Sequence, residues 1–555
     1  METCEVAAVE LAVGERNHAG EPASRTHWRE KAGKLVDGAG QRVESSPRLL
    51  LGISLFLFLV VTLSHAKRRL WFDELHTLYL SGLPTYHDMW RALLAGVDFN
   101  PPAVYLFTRW SNQWIGTSPT ATRLPEILLA VVMCLSLFTF VRRRRGVFFG
   151  LGAMWFPLIT VAANYSSEAR PHSLVLGFCA LAMAGWQRAA DGGRRGWALA
   201  VMSFSIAGFL MSHCYSVLIL LAFGAAELTR LAIRKKPDWV MWLCIVAPMS
   251  TGLVYLPMLH GVGGLVMQSV IFKPGLANVP RFYGFLLNDQ GGGSLIWQEA
   301  IWPVAMVVII AGILRQAPAA DGRSGKTGWP AYELVFLSAL ALLPLFGQSL
   351  AVLARSPFTD RYALAAVIGL GALLAEFVFR SSGGNRRAGL AMTLIFGGWF
   401  VTSFVTWFGS LVQTHPWDLP TIQLATLPKD TLIVISDPLM FLEAEYYEPP
   451  QVAERLRLLT DPLRSVEYTG SDMFDKGLYR TKTIFPFPGK LVDYKTFVSS
   501  TPHFMAYGPF ANPEDWVFRT LLASGAEVNI QGQSNYPSTH GTNCMLVDVR
   551  TTARN

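Results

Sequence analysis

Charge is what this sequence has least of. Only 15% of its 555 residues are Asp, Glu, Lys or Arg, against roughly 25% in an ordinary globular chain. A soluble protein of this length could hardly cover its surface with so few. Cysteine is scarce too, with six residues in all. Cys134, Cys179, Cys214 and Cys244 lie in or at the ends of apolar runs, while Cys4 and Cys544 are far apart, so neither a disulfide framework nor a cysteine metal cluster is spelled out. An early apolar run is also missing. The first begins after about 47 polar residues, too late for a cleaved secretory signal, and is expected to act as an uncleaved signal anchor. The head 1–47 mixes Glu, Arg, Gly and Ser without periodicity and reads as a disordered cytoplasmic segment.

What is present in quantity is apolar sequence, 51% of the chain, with a mean hydropathy of +0.32. A membrane-spanning helix needs about 20 mostly apolar residues. Eleven stretches fit, near 48–66, 123–141, 146–163, 173–189, 196–212, 214–230, 239–258, 296–314, 332–353, 362–379 and 389–411. The fold class is therefore a polytopic α-helical membrane protein, with a helical domain over 48–412.

The 47 basic and 39 acidic residues leave a net charge of +8, a balance that in a soluble protein would suggest nucleic acid. Their positions say otherwise. Seventeen Lys and Arg fall in five alternate short loops: Arg142 to Arg145; Arg188, Arg194 and Arg195; Arg230, Arg234, Lys235 and Lys236; Arg315, Arg323 and Lys326; and Arg380, Arg386 and Arg387. The intervening short loops hold only Arg170, Lys273, Arg281, Arg355 and Arg361. Basic residues near helix ends stay on the cytoplasmic side, so the N-terminus is expected inside and, after eleven spans, the C-terminus outside. The excess charge sets topology in a cell (inner) membrane and implies no nucleic acid partner.

The tail 413–555 has soluble character. Thr431–Ser436 is β-branched and apolar, Leu439–Tyr447 reads as a helix, His503–Tyr507 as a strand, Pro513–Ala523 as a helix and Cys544–Val549 as a strand. Strands alternating with helices predict a small extracytoplasmic α/β domain. It lacks a glycine fingerprint for phosphates, so a lid or acceptor-recognition module is the plainer reading.

Ionisable residues are absent from the centres of the predicted helices. Glu126 and Glu299 fall near outer ends, and Glu227, Glu333 and Glu376 near inner ends. A flippase or transporter of lipid-linked glycans is expected to place such groups at mid-membrane. Here they gather on the outer face instead: Asp73, Glu74, His76, Asp98, Glu168, Arg170, His172, His213, Arg355, Asp360 and Arg361.

The first outer loop, 67–122, is the most informative segment. It carries Trp71-Phe72-Asp73-Glu74, two stretches suited to the headgroup plane (Leu75–Leu94 and Ala103–Trp114), Asn100-Pro101-Pro102, and Arg123-Leu124-Pro125 opening the second helix. Glu168-Ala169-Arg170-Pro171-His172 and Phe358-Thr359-Asp360-Arg361-Tyr362 follow on the same face. This ordered series resembles the GT-C superfamily of polytopic glycosyltransferases, in particular the family 39-like group of protein O-mannosyltransferases, lipid A aminoarabinose transferases and lipopolysaccharide galacturonosyltransferases. An O-antigen ligase or polymerase would carry its main outer loop late in the chain.

The resemblance covers about 48–412. It implies transfer of a sugar from a polyprenyl-phosphate donor to a lipid, glycan or protein acceptor outside the cytoplasm, with no cofactor required. Asp73 is the candidate general base. Glu74 has three readings: a share in catalysis, a metal ligand, or an anchor for the loop; a divalent metal has no other support. A leaving lipid phosphate needs a cation, for which Arg170 is the first candidate and Arg361 the second, with pairing to Glu168 the alternative for Arg170. Asn100, where relatives carry Lys or His, either touches donor or forms a turn. His172, where Tyr is common, His213 and Tyr362 either line the cavity or are structural.

Overall fold

The computed structural model describes residues 46–258, 274–287, 329–413, 424–510, 512, 515–535 and 543–551. The head up to residue 45 and the predicted helix near 296–314 lie outside them. Of the unit Met1–Leu51 only the start of the helix Pro47–His65 is described; everything below concerns Gly52–Asn555.

Every other predicted span coincides with helix. Six helices are long and apolar enough to cross a membrane: Pro47–His65, Pro119–Arg145, Arg195–Ser212, Cys214–Arg234, Trp239–Met258 and Arg386–Val405. A seventh span arises if Ala331–Ala341 and Leu343–Ala354, bent by 57°, are taken together. The stretch near 146–163 is shorter than expected: the apolar helix Val147–Leu158 ends at Ile159 and is followed by a turn at Ala162–Tyr165. His172–Ala190 and Ala366–Ser381 complete the set.

Helix ends follow local chemistry. Pro119–Arg145 starts at Ser118, whose hydroxyl accepts from Ala121 N, with Pro119 in the first turn. It runs out through Arg142 to Arg145 to Gly146 at φ +87°, a left-handed position that glycine adopts without strain. The basic residues of the short loops also tie helices together. Arg145 and Arg380 share Glu376, Arg144 meets Glu333, and Arg230 pairs with Glu227 at 3.1 Å and with Asp238 at 3.1 Å. Glu333 and Glu376 have fully buried side chains, so these pairs fix which helix ends meet.

The tail forms the expected α/β layer and more. Its sheet contains β1 (Ile433–Ile435), β2 (Leu456–Thr460), β3 (Leu491–Asp493), β4 (His503–Gly508), β5 (Glu527–Asn535) and β6 (Asn543–Arg550), in the order β3-β2-β1-β4-β6-β5. The first four are parallel; β6 and β5 add antiparallel. Strands β2, β3 and β5 and the helices Pro462–Thr469 and Met473–Thr481 extend the predicted set.

Asp515 shows how this layer is closed. Its Oδ1 accepts from Phe518 N at 3.1 Å, capping the helix Trp516–Ala523, and its Oδ2 meets the hydroxyl of Ser436 at the end of β1. Burial pushes its carboxyl up to about 7, and burial likewise raises Asp475 to about 6. Between about pH 4, where a free carboxyl titrates, and these raised values, the folded chain holds more protons than the unfolded one. Stability therefore falls as pH rises through that window. Asp515→Asn keeps the cap and removes one titration. The melting temperature of this variant is expected to fall less between pH 4.5 and 7.5 than that of the native chain.

Candidate active site

The loop 67–122 folds as the helices Phe72–Ser81, Tyr86–Leu94 and Ala103–Ile115, as its amphipathic stretches suggested. Asp73 and Glu74 both sit in the first turn of Phe72–Ser81, where the helix dipole favours negative charge. They face different surroundings. Glu74 is fully buried. Its carboxylate accepts from Arg123 Nε at 2.6 Å and Nη2 at 2.5 Å, from Ala169 N at 2.8 Å and from Trp71 N at 3.2 Å. Arg123, also fully buried, spends its other donors on the carbonyls of Ala66 (2.9 Å), Arg68 (2.6 Å) and Arg69 (2.9 Å). Glu168 lies behind the same turn, its Oε1 accepting from Trp71 Nε1 at 2.9 Å, with burial and neighbouring Glu74 pushing its carboxyl up to about 7.

Asp73 faces a cavity of about 380 Å³, within the roughly 300–1,000 Å³ of small-molecule sites. Its Oδ2 lies 3.4 Å from Arg361 Nη1 and 3.7 Å from Arg170 Nε. Arg170 is held on its other side by Asp98, at 2.8 Å from Nη1, and its side chain is 11% exposed; that of Arg361 is 33% exposed. Asp98 in turn accepts from Phe99 N at 2.6 Å and Asn100 Nδ2 at 3.2 Å. Burial would raise Asp98, but Arg170 and then His76 hold it below the usual carboxylate range.

The opposite wall is aromatic. The rings of His172 and His213 are 5.8 Å apart, His213 and Tyr362 4.6 Å, and Tyr362 stacks on Tyr215 at 4.7 Å. Burial, then Arg361, lowers His213 to about 3, so the ring is neutral. The segment carrying Arg361 is positioned through Phe358, which packs on Gly347 so closely that a Cβ there would stand 2.1 Å from the ring.

Thus Asp73, Asn100, Arg170, His172, His213, Arg361 and Tyr362 come together in one cavity, and Glu74 and Glu168 stand outside its lining. Among the described residues no group of three or more His, Cys, Asp or Glu side chains is arranged to hold a metal ion. Two features went unread in the sequence. Asp98 and His76 stood among the outer charges without a role, and both line the cavity. The C-terminal domain supplies a wall through Met473, Phe474, Gly477 and Leu478 of the helix Met473–Thr481, with Phe474 edge-on to Phe72 at 5.8 Å. The apolar spacing of Met473, Phe474 and Leu478 was the available signal. A second helix, Pro438–Tyr447, anchors the loop: Tyr447 Oη accepts from Leu70 N at 2.6 Å and Glu443 Oε1 from Phe72 N at 3.3 Å.

Among solved structures, the chain is similar to ArnT from Cupriavidus metallidurans in the apo state, with a TM-score of 0.52 and 13% identity over 91% of this chain and 98% of that one. It is similar also to the same protein bound to undecaprenyl phosphate, with a TM-score of 0.50 and 13% identity over 90% and 98% of the two chains. The sequence matches no protein-family model and no curated protein. The likeness gives the fold: an ArnT-like helical membrane domain carrying a small C-terminal sheet domain.

Truncating Arg123 leaves a buried carboxylate unpaired, a loss of about 3–5 kcal/mol in comparable sites. Arg123→Leu is therefore expected to lower the melting temperature of the purified protein sharply, whereas Arg361→Leu, at a half-open cation, changes it little.

Proposed function

We propose that the chain is a membrane glycosyltransferase that moves a sugar from a polyprenyl-phosphate donor to a lipid, glycan or protein acceptor on the extracytoplasmic side of a cell membrane. The observation that carries this reading is Asp73, a carboxylate in the cavity with guanidinium groups at 3.4 and 3.7 Å. The fold shared with ArnT, which has been seen with undecaprenyl phosphate, supports it. The basic residues of the alternate short loops support a cavity on the outer side.

The acceptor hydroxyl loses its proton to Asp73 as its oxygen bonds to the anomeric carbon. The bond from that carbon to the phosphate oxygen breaks on the opposite face, its electron pair leaving with the polyprenyl phosphate, so the anomeric centre inverts. A phosphate leaving group requires a cation rather than an acid. Arg361 fits this part better than Arg170, because Arg170 is already held between Asp73 and Asp98 while Arg361 is more exposed and has one loose partner there. Arg170 and Asp98 then keep Asp73 aimed, and Glu74 takes the anchoring role among its three readings.

Asp73→Asn in purified protein should lower transfer from a polyprenyl-phosphate sugar by roughly 10²–10⁴-fold, the usual worth of a general base, with donor binding retained. Unchanged transfer contradicts the mechanism, and movement of the lipid-linked sugar across a bilayer without transfer favours a transporter. Arg361→Ala should weaken binding of undecaprenyl phosphate by about ten- to hundredfold, the scale of a charge-assisted hydrogen bond. An unchanged dissociation constant would remove Arg361 from the phosphate site.

A further inference from the structure

The helix Met473–Thr481 of the C-terminal domain turns one face to the cavity. Met473, Phe474, Gly477 and Leu478, spaced as i, i+1, i+4 and i+5, all line it. Three of these positions carry apolar side chains and the fourth carries none. The helix is seated from both sides. Phe474 packs edge-on to Phe72 at 5.8 Å, Arg480 Nη1 donates to the carbonyl of Gly96 at 3.4 Å, and behind the lining face Asp475 accepts from Asp461 N at 3.1 Å.

Gly477 runs against local preference. It lies inside the helix, where glycine is among the least favourable residues. Its φ is not positive, so the left-handed freedom of glycine is not what the position uses. Close packing does not ask for it either, since a Cβ at Gly477 would meet no neighbouring atom within 4 Å. Gly177 and Gly369 differ in this respect, because a Cβ there would stand 2.4 and 2.7 Å from the carbonyl oxygens of Leu129 and Leu337 on adjoining helices. At Gly477 the missing side chain leaves open space on a face that lines the cavity.

We propose that Gly477 is a specificity-determining residue: its missing side chain makes the room in which the donor sugar sits, and so limits the size of sugar that the cavity takes. This deepens the glycosyltransferase reading and rests on it. With the phosphate on Arg361 and the acceptor hydroxyl on Asp73, the sugar joined between them is the group that has to lie wholly within the cavity. The acceptor needs only its hydroxyl there. Met473, Phe474 and Leu478 give the carbon faces of the ring an apolar surface, the usual character of a small-molecule pocket. Because the helix is held on both sides, a side chain at position 477 takes its volume from the ligand rather than from the protein.

The test uses the full chain in nanodiscs. Binding is measured for undecaprenyl phosphate alone and esterified to a pentose, a hexose, an amino sugar or a uronic acid, and the sugar ester that the native chain binds most tightly serves as donor. Gly477→Ala, which removes an unfavourable helix residue, is expected to keep or raise the melting temperature while weakening donor binding. Gly477→Leu is expected to weaken donor binding by about ten- to hundredfold, the scale of overpacking a filled site, and both variants should bind bare undecaprenyl phosphate as the native chain does. A melting temperature lowered by Gly477→Ala assigns the glycine to packing and overturns the proposal. Donor binding that falls in Gly477→Leu no further than binding of the bare lipid overturns it as well, and so does a loss of transfer with donor binding intact, which places the residue on the acceptor's path. Each of these leaves the glycosyltransferase reading standing. Failure of the native chain to bind undecaprenyl phosphate or any of its sugar esters overturns both.

Discussion

The buried pair of Glu74 and Arg123 is the constraint on which the site depends. Two fully buried ions would be a poor arrangement if each met only the other. Here the hydrogen-bonding capacity is widely used: the carboxylate also takes the amides of Trp71 and Ala169, and the guanidinium takes three carbonyls of residues 66 to 69. One charge pair therefore joins the end of the first membrane helix, the start of the loop after it, the second membrane helix and the segment carrying Arg170. Asp73 occupies the neighbouring position on the same first turn, so the turn that buries Glu74 presents Asp73 to the cavity. An adjacent acidic pair thus divides its labour by direction.

The cavity is assembled from chain segments that have little in common except their ends. Asp73 comes from the loop after the first helix, Asp98 and Asn100 from the turn before Pro101, Arg170 and His172 from the start of one helix, His213 from a break between two, and Arg361 and Tyr362 from a short helical turn after a bent pair. Such a site moves with any of its helices. The ion pairs around Glu227, Glu333 and Glu376 limit that movement from the other end of the helices, and the C-terminal domain limits it from the loop side through Tyr447 and Glu443.

Much of this was legible in the sequence. Ten of the eleven apolar runs between charged loops fall on helix, and six helices, or seven with the bent pair, are long and apolar enough to cross a membrane among the described residues. Six of the nine candidate site residues lie in the motifs and meet in one cavity, and His213, named outside any motif, is the seventh. What stayed hidden depends on distance along the chain. Arg170 and Asp98 are 72 residues apart, and Arg123 and Glu74 49, with no periodicity to connect them. Arg123 therefore read only as part of a helix opening, and Glu74 kept three readings. In the tail, Asp461-Pro462 repeats the cap-and-first-turn signal of Asp437-Pro438, and both start helices; β2 (LRLLT) is leucine-rich rather than β-branched, and β3 has only three residues.

A structure of the protein with a bound undecaprenyl-phosphate sugar bears most directly on the central claim, that Asp73 and Arg361 face the reacting bond while Glu74 holds the loop. The expected result is a phosphate oxygen within hydrogen-bond reach of the Arg361 guanidinium, the anomeric carbon turned toward Asp73, and the Glu74–Arg123 pair unchanged. A phosphate bound away from Arg361, or a donor contacted by Glu74, would contradict it.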